Sequence, residues 1–428
     1  MQKNTKRGKQ LFKLIKQLYP LCRSITGDGL RQSLQIIRER IPIKIYEIPT
    51  GTEVFDWTVP KEWNIRDAWI KDLQGNRIVD FRKSNLHVLN YSTPVDKVVS
   101  FHELKGHLFT LPEQPDLIPY RTSYYKEQWG FCLEHNRFIN MKDEEYHVFI
   151  DSSLEDGSMS YGELYIQGNT DDEVLISAHI CHPSLCNDNL SGVSLAVHLA
   201  ESLLEEENRY SYRFLFMPGT IGSIAWLARN EDNVKNIKYG LVLSCAGDSG
   251  NITYKKSRQG NAEIDKIVEK VLADTAEKFE IRSFTPYGYD ERQFCSPGFN
   301  LPVGCFMRTP FSEFPEYHTS ADNLDFVKPE ALADSLSKLQ SIVYTIEYNR
   351  KYLNLNPKCE PNLGKRGLYK SIGGNLKSEV NQLAVLWTLN FSDGNHSLLD
   401  ISEKSGISFG TIKQTADILK KVQLLKQT

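Results

Sequence analysis

Between residues 177 and 192 the chain reads Ser177-Ala-His179-Ile-Cys181-His182-Pro-Ser-Leu-Cys186-Asn187-Asp188-Asn189-Leu-Ser-Gly192. Two histidines, two cysteines and a carboxylate fall within ten residues of that run. Imidazole nitrogen and carboxylate oxygen are donors that zinc takes, and three protein ligands with one position open make a catalytic site rather than a structural one. Without a metal, the same residues would serve as a helix cap at Asp188 and a polar corner. A second run, Glu313-Phe-Pro-Glu316-Tyr317-His318-Thr319-Ser320-Ala-Asp322-Asn323, sets a histidine among carboxylates. Such a grouping is costly without a cation nearby. His318 would complete a His/Asp/His set.

Both runs need a scaffold that brings them together. From about 160 to 348, apolar strand patterns (173–178, 212–217, 239–245, 302–307) alternate with helical ones (190–207, 221–229, 262–279, 330–348). Strands without period-2 alternation, each followed by a helix, predict an α/β fold with a largely parallel mixed sheet between helices. The first run then lies at a strand's carboxyl end, where open α/β sheets bind ligands. Upstream, Leu11, Leu14, Ile15 and Leu18 have helical spacing, and Lys13, Lys16 and Gln17 interrupt them too often for a signal segment or a membrane span. Short alternating segments over 56–114 predict an inserted β-rich domain closed by a Pro-rich stretch. The α/β domain is therefore expected from 1–55 and 115–360, with 349–376 as a polar linker. Residues 365–428 read helix, Gly turn, helix, as in a winged-helix domain.

SAHICHPSLCNDNLSGVSLAVHLAESL resembles the metal loop of the zinc-dependent aminopeptidase superfamily, and EYHTSADNLDFV resembles its late Tyr-His-Thr segment. The likeness is greatest to the aminopeptidase-like group associated with bacterial polysaccharide-biosynthesis genes, which carries a small β insertion and a winged-helix tail. The resemblance implies a zinc-peptidase-like sheet and a metal-dependent hydrolase of peptide or amide bonds. It transfers Asp188 and His318 as ligands, with one histidine from the first loop. His182 is preferred because it lies past the strand end and is freer to face Asp188; His179 is the reserve. Where the superfamily has two glutamates this chain has Thr220 and Ile221, and where it has a further metal-binding Asp this chain has Ser244-Cys245. Fewer acidic ligands imply one zinc ion rather than two. The missing base is then sought in Glu291, beside Arg292, or in Glu316. Arg308, Arg121 and Tyr317 are the expected substrate contacts, the arginines because a guanidinium holds a carboxylate bidentately. The missing glutamates also admit another reading, a catalytically inactive peptidase-like sensor or scaffold.

Lys+Arg 51 against Asp+Glu 54 leaves a net charge of −3 over 428 residues, so no global field draws in nucleic acid or anionic lipid. Eight cysteines without a CxxC pair read as reduced thiols, and the protein as cytoplasmic. The tail differs: residues 364–428 carry nine Lys/Arg and five Asp/Glu, a net +4. DNA binding through 365–428 is expected to be weak, because the presumptive recognition helix opens with only Lys413, Gln414 and Thr415. A small-molecule amide or peptide is the expected partner, and a homo-oligomer is compatible with the sequence.

Overall fold

In a computed structural model, residues 2–368 and 381–428 are described. Residues 369–376 of the expected linker therefore lie outside the described residues. The chain divides into two compact units, residues 1–262 with 280–337, and residues 263–279 with 338–428.

In the first unit, all seven residues of the strand Glu173–His179 are buried. A strand covered on both faces needs apolar residues without period-2 alternation, as Val174, Leu175, Ile176 and Ala178 provide. It lies inside an eight-stranded sheet in the order Lys44–Pro49, Ser158–Ile166, Ser211–Met217, Glu173–His179, Ile237–Leu243, Val303–Met307, Ile252–Lys255, Phe279–Arg282. The strands from Ser211–Met217 to Val303–Met307 in that order run parallel, and antiparallel partners flank them. This is the expected mixed sheet, but among the described residues only its four central strands are parallel, so it is less parallel than the apolar runs predict. The helix Gly192–Leu204 buries Val193, Ala196, Val197, Ala200 and Leu203. The Ser194 hydroxyl donates to the Leu11 carbonyl at 2.9 Å, which ties that helix to Gln2–Leu18.

A separate antiparallel sheet, ordered Arg77–Asp80, Glu62–Lys71, Glu145–Glu155, Val95–Ser100, packs Ala68, Ile70, Val79, Val99 and Val148 into its own core. Glu145–Glu155 lies beyond residue 114, where the sequence pattern closed the inserted domain, so the sheet draws on chain expected to be α/β. The Pro-rich stretch is only a connection. The alternation of Tyr146, Val148 and Ile150, all buried, is the strand signal that extends the insertion.

Arg31 joins this sheet to the helix Asp28–Arg38 through a two-pronged pair with Glu62, at 2.6 and 2.5 Å. The arginine's hydrogen bonds hold the Glu62 carboxyl down to about 2, against an ordinary 4.5. The unfolded chain then binds this proton more readily than the folded one, so the pair stabilises the fold above pH 4.5 and its contribution is lost as pH falls to about 2. Denaturant titrations should show Glu62→Gln less stable than the parent above pH 4.5, with the gap closing towards pH 2. A gap constant across that window would rule the pair out as a source of stability.

The second unit holds the helices Gln382–Phe391, Leu398–Ser405 and Phe409–Lys421 and a three-stranded antiparallel sheet, Asp393–Ser397, Lys351–Asn354, Leu425–Gln427. Ser397 and Asp400 form a capping box at the start of the second helix, and Gly406 ends it in the left-handed conformation. Lys351–Asn354, assigned to the linker from its polar composition, is the central strand of this sheet, so the winged-helix unit begins before residue 365. Its two inward residues, Tyr352 and Asn354, are too few to give a sequence signal.

Candidate metal centre

The His179–Gly192 connection is held by its own polar side chains. Asn189 Nδ2 donates to the Leu243 carbonyl at 2.9 Å, and its Oδ1 accepts the Cys245 N–H at 3.2 Å. Asn187 Oδ1 accepts the Gly247 N–H at 2.8 Å. The loop is thus stitched to the end of the strand Ile237–Leu243. Gly192 allows the approach, since a Cβ there would lie 2.3 Å from the Leu243 oxygen. Asp322, from the second run, accepts the N–H groups of Asn187 and Asp188 at 2.6 and 2.9 Å. On the other flank the wholly buried Arg23 donates to the His182 carbonyl at 2.9 Å.

This framework sets three histidines around Asp188. His179 Nε2 lies 2.8 Å from Asp188 Oδ1, and His318 Nε2 lies 2.9 Å from Oδ2. His182 Nε2 is 3.8 Å from the same Oδ2. Donor atoms of His179, His182 and Asp188 all lie within 4.8 Å of one another, and all three residues are buried. Burial drives the His182 pKa well below its ordinary value, and Asp188 offsets only part of this, so the ring stays neutral. Burial opposes charge on Asp188, but the surrounding imidazoles outweigh it and the carboxylate stays ionised. A buried carboxylate ringed by imidazole nitrogens is the donor set that zinc takes, so the residues present fit the metal.

Three aromatic rings fix the imidazoles. Tyr289 stacks on His179 at 3.7 Å, Tyr317 stacks on His318 at 4.0 Å, and Tyr120 packs against His182 and His318 at 5.0 and 5.2 Å. Tyr317, the expected substrate contact, stacks directly on a histidine of the cluster. Tyr120, Tyr289, Arg23 and Asp322 were not among the expected site residues. Only Asp322 had a local signal, four positions after His318 in a run already dense with carboxylates.

Two other expected site residues have partners inside the fold. Glu291 is fully buried, pairs with Lys255 and accepts the Tyr289 N–H. Its neighbour Asp290 accepts from Ser223 at 2.7 Å while its other oxygen has no partner, and burial raises it to about 6. Arg308 is 7 % exposed and donates to the Gly250 carbonyl and to Asp334, so its fork is occupied internally. Arg121 is exposed, next in sequence to Tyr120. Glu316 is half-buried, and its carbonyl accepts from Thr319 in the turn that carries His318.

A domain of unknown function, DUF4910, matches residues 12–349, and a winged helix-turn-helix family matches 350–427. A Clostridium acetobutylicum protein named for polysaccharide biosynthesis and an aminopeptidase-like domain is 54 % identical over 426 residues, covering 100 % of this chain and 98 % of its own. A crystal structure from the same organism, described as a peptidase, superposes with a TM-score of 0.95 at 53 % identity, over 100 % of this chain and 98 % of that one. A zinc aminopeptidase of Bacillus subtilis shares the fold at 12 % identity and a TM-score of 0.58, over 79 % of this chain and 95 % of that one. A Shewanella amazonensis M28 peptidase precursor does so at 12 % and 0.56, over 80 % and 96 %. With one family model across most of its length and a near-full-length relative above half identity, the chain belongs to the DUF4910 family, a zinc-aminopeptidase fold carrying a C-terminal winged helix.

Proposed function

We propose that this chain is a metal-dependent hydrolase of a peptide or other amide bond, with a single zinc ion as its metal. The observation that carries the reading is the convergence of His179, His182 and His318 on the buried carboxylate of Asp188. A scaffold or sensor has no need of that arrangement. His182, Asp188 and His318 would hold the ion, with His179 as the alternative or additional ligand. One ion is favoured because Thr220, Ile221 and Cys245 offer no carboxylate for a second. Zinc, when bound, supplies Lewis-acid polarisation of the amide carbonyl. The chain's own groups do the rest. Arg23 and Asp322 hold the ligand loop, and Tyr120, Tyr289 and Tyr317 fix the imidazoles. Glu316, two residues from His318, is the carboxylate left to take a proton. Metal analysis of protein purified without chelators should find about one zinc per chain. Chelation should abolish amide hydrolysis, and zinc should restore it. Metal-free protein that hydrolyses amides at full rate would overturn the reading.

The lysine near the start of the presumptive recognition helix is already engaged. Lys413 is held by Asp417 at 2.6 Å and lies over the Tyr348 ring at 4.5 Å. Fluorescence anisotropy at two salt concentrations should therefore show only weak, salt-sensitive DNA binding, on the order of 10⁻⁴ to 10⁻⁶ M. Sequence-selective binding on the order of 10⁻⁸ M would make the protein a regulator instead. Removing 365–428 should leave hydrolysis measurable. Among the described residues, no helix is long and apolar enough to cross a membrane.

A further inference from the structure

We propose that the cavity beside the His–Asp cluster is a substrate subsite for a single ring bearing an acylated, uncharged amine, and that it turns away a free ammonium group. For the fate of the bound amide this rests on the hydrolase reading; for binding it does not.

The cavity holds about 240 Å³, walled by Trp57, Tyr124, Tyr125, Tyr289, Ile221 and Ile224. Pockets for drug-sized ligands run from roughly 300 to 1,000 Å³, so this one takes a single ring rather than a length of peptide. Trp57 and Tyr125 stand 5.4 Å apart at its mouth, 46 % and 57 % exposed, which leaves two large apolar faces for a ring to cover. The cavity shares walls with the cluster. Tyr289 lines it while stacking on His179, and the Tyr124 hydroxyl lies 2.7 Å from that of Tyr120, which packs on His182 and His318. A group seated there is one side chain away from the histidines.

Charge sets the ligand class. Among the described residues no Asp or Glu lines the cavity, and its one charged group is Arg292, which is exposed. Of the nearest carboxylates in sequence, Glu291 is engaged by Lys255, and Asp290, one oxygen of which accepts from Ser223, is wholly buried and does not line the cavity. An ammonium entering would give up water beside a guanidinium and meet no anion, and an unpaired charge leaves water only at high cost. An amide carries no charge to desolvate, and the Thr220 hydroxyl is among the groups that line the cavity. Two sources present this chemistry, an N-acylated amino sugar and an N-acylated aromatic amino acid.

Calorimetric titration of the full chain tests this with N-acetylglucosamine against glucosamine, and with N-acetylphenylalanine amide against phenylalanine amide. In at least one pair, the acylated ring should bind about tenfold or more tightly than its free-amine counterpart, and the pair that does so identifies the source. Trp57→Ala, on an exposed hairpin, should weaken that binding about three- to tenfold, and Arg292→Glu should narrow the preference. Equal or tighter binding of the free amines, no binding of either acylated ring at millimolar concentration, or indifference to Trp57→Ala would overturn the proposal. Repeating the titrations on Asp188→Ala separates the two readings. Acyl preference retained there, in a protein whose parent hydrolyses nothing, rejects the hydrolase alone. Zinc-dependent hydrolysis with free-amine preference rejects the subsite alone.

Discussion

Asp188→Ala is expected to give a folded chain that retains no zinc. All three histidines meet at this one carboxylate, so its loss removes an anionic ligand and the group that orients the imidazoles. Loss of a group that only orients a metal ligand typically costs about 10- to 100-fold in metal affinity, and loss of the ligand itself should exceed this. The fold should survive, because the strands and helices around the loop are held by apolar packing that Asp188 does not supply. Atomic emission on purified protein gives zinc per chain, and far-UV circular dichroism checks the fold. Full zinc occupancy in Asp188→Ala would remove the proposed site. His182→Ala and His318→Ala should also empty it. Zinc that survives His182→Ala but leaves with His179→Ala would move the ligand role to His179.

Asp322→Ala should cost both stability and metal affinity, although Asp322 is not a proposed ligand. It is wholly buried and accepts the N–H groups of Asn187 and Asp188. Truncation leaves two buried donors without an acceptor, at about 1–3 kcal/mol each, or about 2–6 kcal/mol together. The loop carrying Asp188 is then no longer pinned, and zinc affinity should fall about 10- to 100-fold. Asp322→Asn keeps one acceptor oxygen and should recover part of both losses. Denaturant unfolding and competitive zinc titration measure the two effects. A variant as stable as the parent, with unchanged zinc affinity, would show that Asp322 does not position the loop.

Several features were legible along the chain because their causes are local. The run of seven buried residues in Glu173–His179, the helical spacing of Val193, Ala196, Val197 and Ala200, and the Asn-Asp-Asn-Leu-Ser-Gly loop between them all follow from neighbours in sequence. His318 could be picked out because it is set among carboxylates. The sequence pattern closes the insertion at 114 although Glu145–Glu155 pairs with Glu62–Lys71, because sequence distance hides such a partner.

Side-chain commitment was not legible. Glu291 looked like a base and Arg308 like an anchor because both types do that work when free. Whether they are free depends on Lys255 and Asp334, which the fold brings in from other elements. The same holds for Tyr289 on His179 and for Asp322 under Asp188. Residue type and local periodicity determined the sheet, the helices and the kinds of donor atom available. Tertiary packing decided which donors meet and which charges are already neutralised. Periodicity constrains only residues a few positions apart, whereas a hydrogen bond or ion pair forms wherever the folded chain brings its two partners within reach.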